Sequence, residues 1–222
     1  MLFKELINGS QGILFDFNGT LSDDEAVLEQ AYDATLVHLG LDGLDEGEYA
    51  SLLGRSDPDI ARAVLDARGE DGRLEEFLDA LAKIYPAASI AAGCLKPQAF
   101  EFIKWLLGQG KKVGIVTGTL RSMIVPLLAQ HGVVDELDCL VTIEDVQVGK
   151  PDPEGFALGA KFLGLDTSCI VVFEDSNAGF AAADALGMPV VGVGDAIDKA
   201  GLAAHYATIV DAAAEVLGYE DQ

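Results

Sequence analysis

Apolar residues form two kinds of pattern along this chain, and the two kinds alternate through its second half. Short unbroken apolar runs, which predict buried strands, occupy 112–117, 139–143, 169–173 and 189–193. Around them, apolar residues recur at helical spacing over 97–107, 121–131, 153–163, 177–186 and 211–217. Strands that alternate with helices in this way predict an α/β fold built on a doubly wound parallel sheet.

One more apolar run lies near the start of the chain, separated from the other strands by a long helical section. Residues 12–15 predict a buried strand that ends at Asp16. Helical patterns then cover 24–39, 48–53, 56–69 and 73–85, the last predicted to stop before Pro86. No strand pattern is visible between 22 and 92. We therefore predict an inserted α-helical cap, residues 22–92, over an α/β core of residues 1–21 and 93–222.

Polar residues suited to phosphate chemistry follow the predicted core strands. Open α/β sheets place their ligand crevice at the carboxyl ends of the strands, so side chains at these ends are candidates for a shared site. An aspartate there can attack phosphorus, and hydroxyls, backbone amides and a lysine can hold phosphoryl oxygens. Two adjacent acids after a buried strand repel one another unless a cation lies near them. The candidates are Asp16, Thr117, Gly118, Thr119, Lys150, Glu174 and Asp175.

Each of these candidates also has an ordinary structural explanation. Asp16 could form an Asx-type turn, the segment 117–119 could be a plain turn, and Lys150 could be a solvated loop residue. Glu174 and Asp175 could simply cap the helix that follows them. Their joint occurrence, in this order and at these strand ends, favours a site.

The same residues give the chain its resemblance to a known family. The segments Asp16-Phe17-Asn18-Gly19-Thr20, Thr117-Gly118, Lys150-Pro151 and Glu174-Asp175 resemble the four motifs of the haloacid dehalogenase superfamily, mostly magnesium-dependent phosphatases with a Rossmann-like core. The helical insertion is similar to that of the subgroup containing β-phosphoglucomutase and phosphoglycolate phosphatase. The resemblance covers essentially the whole chain.

The resemblance implies a role for each matching position. Asp16 would be the nucleophile and a ligand of Mg²⁺, a hard ion that prefers oxygen donors. The backbone carbonyl of Asn18, together with Asp175 and Glu174, would complete the protein ligands. The phosphoryl oxygens would be stabilised by Lys150, by the Thr117 hydroxyl and by backbone amides near Asn18 and Gly118, with Thr119 adjoining.

Asn18 departs from the family pattern, in which this position usually carries a second aspartate that moves protons. An amide cannot protonate a leaving alkoxide or activate water, and losing such a group typically costs about 10²–10⁴ in rate. Asn18 could be natural, with another group or the substrate itself moving the proton. It could be natural in a protein specialised for a good leaving group or for binding. It could also be a substitution made to trap a complex. The acids at 174 and 175 argue against a metal-free dehalogenase, and Lys83, late in the cap, gives little support to phosphonate cleavage.

We therefore expect an enzyme, a Mg²⁺-dependent phosphoric monoester hydrolase working through an aspartyl-phosphate on a small phosphorylated metabolite. A β-phosphoglucomutase-like phosphotransferase and a weakly catalytic phosphate-ligand binder are the alternatives. Arg55 and Arg121 are candidate substrate contacts, although each could equally be a surface arginine. Asp23 and Asp24 are expected to cap the first cap helix; the alternative is that one of them replaces the missing acid.

Composition narrows the choice of partners and compartment. Lys and Arg total 14 against 37 Asp and Glu, a formal net charge of −23, which disfavours nucleic acid and anionic membranes as partners. Three widely spaced cysteines and the lack of a signal-peptide pattern predict a cytoplasmic protein. We expect a monomer or a weak dimer.

Overall fold

A computed structural model describes residues 2–218 as a six-stranded parallel sheet with helices packed against it. The strand order is β3-β2-β1-β4-β5-β6. The first three strands are added towards one edge of the sheet and the last three towards the other, so the strand order reverses beside β1. All five neighbouring pairs are parallel. The strands are β1 (Gly12–Phe15), β2 (Lys112–Val116), β3 (Cys139–Val141), β4 (Ile170–Glu174), β5 (Val190–Val193) and β6 (Ala204–Tyr206). The predicted doubly wound α/β fold is confirmed.

Alternate residues of the central strand enter two separate hydrophobic clusters, as the pleat of a strand requires. Ile13 and Phe15 pack with helices on one face, whereas Leu14 packs on the other. The core helices are α1 (Phe3–Gly9), α5 (Pro97–Gly108), α6 (Arg121–Gln130), α7 (Glu154–Leu163), α8 (Asn177–Asp184) and α9 (Ile209–Leu217). Because both faces are covered, β1 is apolar at every position and buried throughout.

The segment between β1 and β2 is helical before it rejoins the core at α5. It contains α2 (Glu25–His38), α3 (Asp57–Asp66) and α4 (Leu74–Ala92), with short 3₁₀ turns at Ala50–Leu52 and Asp71–Arg73. Within the described residues no strand lies between β1 and β2, although Ser22 makes isolated bridges to Asn18 and Leu95. Tyr32 of α2 packs on Phe77 of α4 with ring centroids 5.6 Å apart.

Four elements of the fold differ from the sequence-based expectation. Helix α4 continues through Pro86 to Ala92, where it was predicted to stop at 85, because Pro86 is buried and its packing offsets the missing backbone donor. The predicted helix at 48–53 is only the 3₁₀ turn Ala50–Leu52. Helix α1 and edge strand β6 were not predicted; they are seven and three residues long, too short to show a periodic pattern.

The structure also bears on membrane association. Among residues 2–218, none of the helices combines the length and the apolar character needed to cross a lipid bilayer.

Candidate active site

Three acidic side chains meet where the carboxyl ends of two adjacent strands lie side by side. Asp16 directly follows β1, Glu174 is the last residue of β4, and Asp175 follows it. One carboxylate oxygen from each lies within 4.8 Å of the others. Asp16 and Glu174 are buried. The sheet therefore concentrates three carboxylates in a small volume at the edge where α/β folds bind ligands.

Lys150 supplies the positive charge in this group. Its Nζ lies 2.5 Å from Asp16 Oδ1 and 2.5 Å from Glu174 Oε1, and 5.0 Å from the centroid of the Phe156 ring. Burial opposes the lysine's charge, but the two carboxylates outweigh it and raise the pKa of Lys150. The lysine therefore remains an ammonium and bridges the two acids.

One lysine does not neutralise three acids, and the excess negative charge contributes to raised pKa values at Asp16 and Asp175. Burial, aided by the neighbouring acids Glu174 and Asp175, raises the pKa of Asp16 well above its ordinary value despite the opposing charge of Lys150. Burial and then Glu174 raise the pKa of Asp175 to about 7. Additional positive charge is therefore needed to keep Asp16 and Asp175 ionised at neutral pH.

Close backbone packing fixes where the acids can point. Gly19 has φ of +76°, and a Cβ at this position would overlap the carboxylate of Asp175. A Cβ on Gly179 in the first turn of α8 would likewise overlap Glu174. Ser176 donates its amide and hydroxyl to Glu174 Oε2 at 2.7 and 2.9 Å, and its hydroxyl also caps α8. The helix cap is thus Ser176, which leaves the two acids available for the site.

This donor set fits a magnesium ion. Carboxylate oxygens are the ligands that Mg²⁺ prefers, and the unbalanced negative charge described above favours a divalent cation. Asp16, Glu174 and Asp175 would hold the ion, with the Asn18 backbone adjoining on the β1 side. Within residues 2–218 these three form the cluster of acidic, histidine or cysteine side chains close enough to share one metal.

The side chain of Asn18 is held by hydrogen bonds at both ends. Its Nδ2 donates to Asp24 Oδ2 at 2.8 Å and to the Tyr85 hydroxyl at 3.1 Å, and its Oδ1 accepts from the Thr119 hydroxyl at 2.5 Å. Tyr85 also donates to Asp24. The amide therefore joins the β1 loop to the first and last inserted helices and to the loop after β2.

Asp24 does not cap α2 with its side chain, contrary to expectation, because the carboxylate is directed to Asn18 and Tyr85. Burial raises its pKa, and the hydrogen bonds from Tyr85 and Asn18 partly offset this.

The inserted helices and the sheet enclose a cavity of about 440 Å³ around these groups. The three acids, Lys150 and Thr117 line its sheet side, together with Gly118 and Thr119. Leu28, Tyr49, Arg55 and Asp57 belong to its other wall. A small organic phosphate fits such a volume.

Comparison with known proteins identifies the family. The sequence pattern of the haloacid dehalogenase-like hydrolases matches residues 13–193. This chain belongs to that family. It is 32% identical over 181 residues to a plasmid-encoded phosphoglycolate phosphatase of Cupriavidus necator, covering 80% of this chain and 78% of that protein. It is 30% identical over 183 residues to the fructose-1-phosphate phosphatase YqaB of Escherichia coli, covering 82% of this chain and 95% of that protein.

A solved structure supports the same fold. The crystal structure of CbbY from Rhodobacter sphaeroides in complex with phosphate matches with a TM-score of 0.80 at 22% identity, over 91% of this chain and 96% of that one. This match concerns the fold; the family rests on the sequence pattern and on the two relatives named above, both of them phosphatases.

The hydrolase brings most of the predicted site residues together. Asp16, Asn18, Glu174 and Asp175 line one cavity with Thr117, Gly118, Thr119, Lys150 and Arg55. Arg55 is exposed at the edge of this cavity. Arg121 is not among the lining residues; its Nη2 lies 2.5 Å from Asp145 Oδ2 and donates to the Leu140 carbonyl at 3.1 Å. This placement does not support the predicted substrate contact by Arg121.

Asp57 is a cavity residue of the hydrolase that the sequence showed only as part of a helix start. It is buried in the first turn of α3, and its carboxylate accepts from the Tyr32 hydroxyl at 2.8 Å and the Leu120 amide at 3.3 Å. Its own amide donates to the Gly118 carbonyl at 3.2 Å. Burial raises the pKa of Asp57 to about 6. An acid before a helix proline is common, so the sequence carried no signal of this burial.

Proposed function

We propose that this hydrolase is a slow Mg²⁺-dependent phosphatase that acts on a small phosphorylated metabolite through an aspartyl-phosphate on Asp16. The supporting observation is a buried aspartate at the end of the central strand, paired with Lys150 and grouped with two further carboxylates. The phosphatase names of two relatives at 30% identity or more point the same way.

The proposed first step is attack by a carboxylate oxygen of Asp16 on phosphorus, which forms an acyl-phosphate bond and breaks the ester P–O bond. The leaving alkoxide takes its proton from solvent. When bound by Asp16, Glu174, Asp175 and the Asn18 carbonyl, Mg²⁺ would screen the repulsion between the nucleophile and the phosphate. Lys150 and the Thr117 hydroxyl would hold the transferring oxygens. Water then attacks the same phosphorus and loses a proton to solvent; the P–O bond to Asp16 breaks, which releases inorganic phosphate and regenerates the carboxylate.

Asn18 makes the proposed enzyme slow. Both of its amide hydrogens and its oxygen are engaged by Asp24, Tyr85 and Thr119, and an amide has no proton to give to the leaving alkoxide. The surroundings match an amide, since Asp24 accepts from its nitrogen. This match supports asparagine as a residue that belongs at this position.

The inserted helices complete the proposed enzyme. We infer that residues 22–92 act as a cap over the core of residues 1–21 and 93–222, and that Arg55 contacts the part of the substrate beyond the phosphate. A cap excludes water while the reaction proceeds. Buried thiols at Cys94 and Cys139 are in keeping with a cytoplasmic location.

Phosphate release from a panel of small organic phosphates tests the proposal. With Mg²⁺ we expect slow turnover, abolished by EDTA and reduced at least ~10⁴-fold in Asp16→Asn. Asn18→Asp is expected to raise kcat by about 10²-fold, since it supplies a proton-transfer group.

The outcomes separate the alternatives. Equal activity in the wild type and Asn18→Asp would mean that another group carries the proton. Activity confined to Asn18→Asp would favour a phosphate-ligand binder, and inactivity of both would contradict the phosphatase proposal. Retention of phosphate on the product rather than its release would favour a phosphotransferase.

A further inference from the structure

The wall of the cavity that faces the phosphate site carries more negative than positive charge. Asp24, Glu25 and Asp57 line it, with Arg55 as the cation on that side. Asp24 and Asp57 are 2% and 5% exposed, whereas Arg55 is exposed at the edge. Solvent screens the arginine strongly and the buried acids weakly, so the acids dominate the field inside the cavity.

The two buried carboxylates are fixed in place. Asp57 is bound by Tyr32 from the inserted helices and by the Leu120 amide from the core loop. Its own amide donates to Gly118, next to Thr117, which ties the charge to the phosphate-binding side. Neither donor is cationic, so the hydrogen bonds stabilise the charge of Asp57 without cancelling it.

Asp24 is held in a comparable way beside the Asn18 side chain. Oδ2 accepts from the Asn18 amide and the Tyr85 hydroxyl, both neutral. Oδ1 makes no hydrogen bond of normal geometry within residues 2–218, although the Ser22 hydroxyl and the Gly19 amide are near enough to help lower the pKa. An incoming anion therefore could not displace either carboxylate without breaking buried hydrogen bonds.

Lys150 does not neutralise the negative charge of Asp24 and Asp57. It lies between Asp16 and Glu174 at 2.5 Å from each, and a bound phosphoryl group would engage it further. The part of the substrate beyond the phosphate would therefore meet two fixed negative charges and one solvent-screened positive one.

We infer that Asp24 and Asp57 are specificity-determining residues, which select phosphate monoesters whose leaving group carries hydroxyl or ammonium donors and reject those that carry a carboxylate. The inference rests on the proposed phosphatase function and names the substrate class of that site. It also sets this chain apart from its phosphoglycolate phosphatase relatives, whose named substrate contains a carboxylate.

Equilibrium binding tests the inference without depending on turnover. The probes are 2-aminoethyl phosphate, 2-hydroxyethyl phosphate and 2-phosphoglycolate, similar in size and differing in the terminal group, titrated calorimetrically at pH 8 with Mg²⁺. We expect the Kd of phosphoglycolate to exceed that of aminoethyl phosphate at least tenfold. Asp57→Asn and Asp24→Asn should each narrow this ratio at least threefold.

Asp23→Asn is the matched control, because Asp23 is exposed and lies outside the cavity lining while removing the same formal charge. It should leave the ratio unchanged. Tighter or equal binding of phosphoglycolate would overturn the inference, as would an equal response to all three substitutions. A catalytically dead protein that still shows the ratio would contradict only the phosphatase proposal.

Discussion

The two walls of the cavity both hold buried carboxylates, but they stabilise them by different means. On the sheet wall, Asp16 and Glu174 share the ammonium of Lys150, so their negative charge is partly offset by a positive one. On the wall formed by the inserted helices, Asp24 and Asp57 rely on neutral hydroxyls and amides. The sheet wall is therefore suited to bind a cation and a phosphate. The other wall, above the pKa of Asp57, carries a negative field that can discriminate among leaving groups.

Removing the lysine should have the largest effect on this contrast. Lys150→Met leaves Asp16 and Glu174 buried without a counter-ion, and we expect the free energy of unfolding in EDTA to fall by about 3–5 kcal/mol. Saturating Mg²⁺ should recover part of the loss, because a cation can occupy the acidic cluster. Urea unfolding with and without Mg²⁺ measures both changes.

Lys112→Met is the matched comparison for that measurement. Lys112 lies 2.9 Å from Asp138, but its side chain is 52% exposed, so losing this pair should cost less than about 1 kcal/mol. Similar losses in the two variants would show that the charge balance at Asp16 contributes no more than an ordinary surface pair.

The pH dependence of the free energy of unfolding should report on Asp57, in the wall formed by the inserted helices. Burial raises the pKa of Asp57 to about 6 from an ordinary 3.8, so between these values the folded protein binds more protons than the unfolded chain. Asp57 therefore stabilises the folded state below pH 4. This contribution, at most about 3 kcal/mol, is lost as the pH rises through 6.

Urea unfolding of Asp57→Asn between pH 4 and 7 measures this contribution. The variant should show a smaller fall in stability over the range than the wild type, because the titrating group is gone. Asp66→Asn, at the exposed end of the same helix, should reproduce the wild-type slope. Parallel curves for the wild type and Asp57→Asn would refute the assignment.

The smallest expected effect concerns the junction between the walls. Asn18→Asp would set a carboxylate against Asp24, where the present amide nitrogen lies 2.8 Å from Asp24 Oδ2, and the two acids would have to share a proton. We expect a loss of about 2 kcal/mol in unfolding free energy at pH 8.

The exchanged pair, Asn18→Asp with Asp24→Asn, should recover most of that loss, since it restores one amide facing one carboxylate. A double-mutant cycle on unfolding free energy gives the coupling directly. Additive single effects would show that the two side chains do not depend on each other.

The local pattern predicted the sheet wall because its chemistry lies at the ends of strands. Asp16 and Glu174 follow apolar runs, and parallel strands end at the same edge of a sheet, so their convergence follows from the pattern alone. Lys150 was a candidate as a lone lysine in a loop framed by glycine and proline, but a loop lysine has no periodic signal, and only the family resemblance gave it a role. Helix α4 shows the limit: Pro86 predicts a stop, and burial overrides it.

The amino-acid sequence by itself determined the α/β architecture, the helical insertion and the acids that group at the end of the central strands, because hydrophobic period and strand direction act locally. Only the tertiary structure decided that Asp24 and Asp57 are buried cavity residues and that Arg121 pairs with Asp145 outside the cavity. The burial of the two acids depends on packing between Tyr32, Tyr85 and core loops distant in the chain. The free energy of such contacts depends on which surfaces pack together in the folded chain, and the spacing of residues along the sequence does not predict that packing.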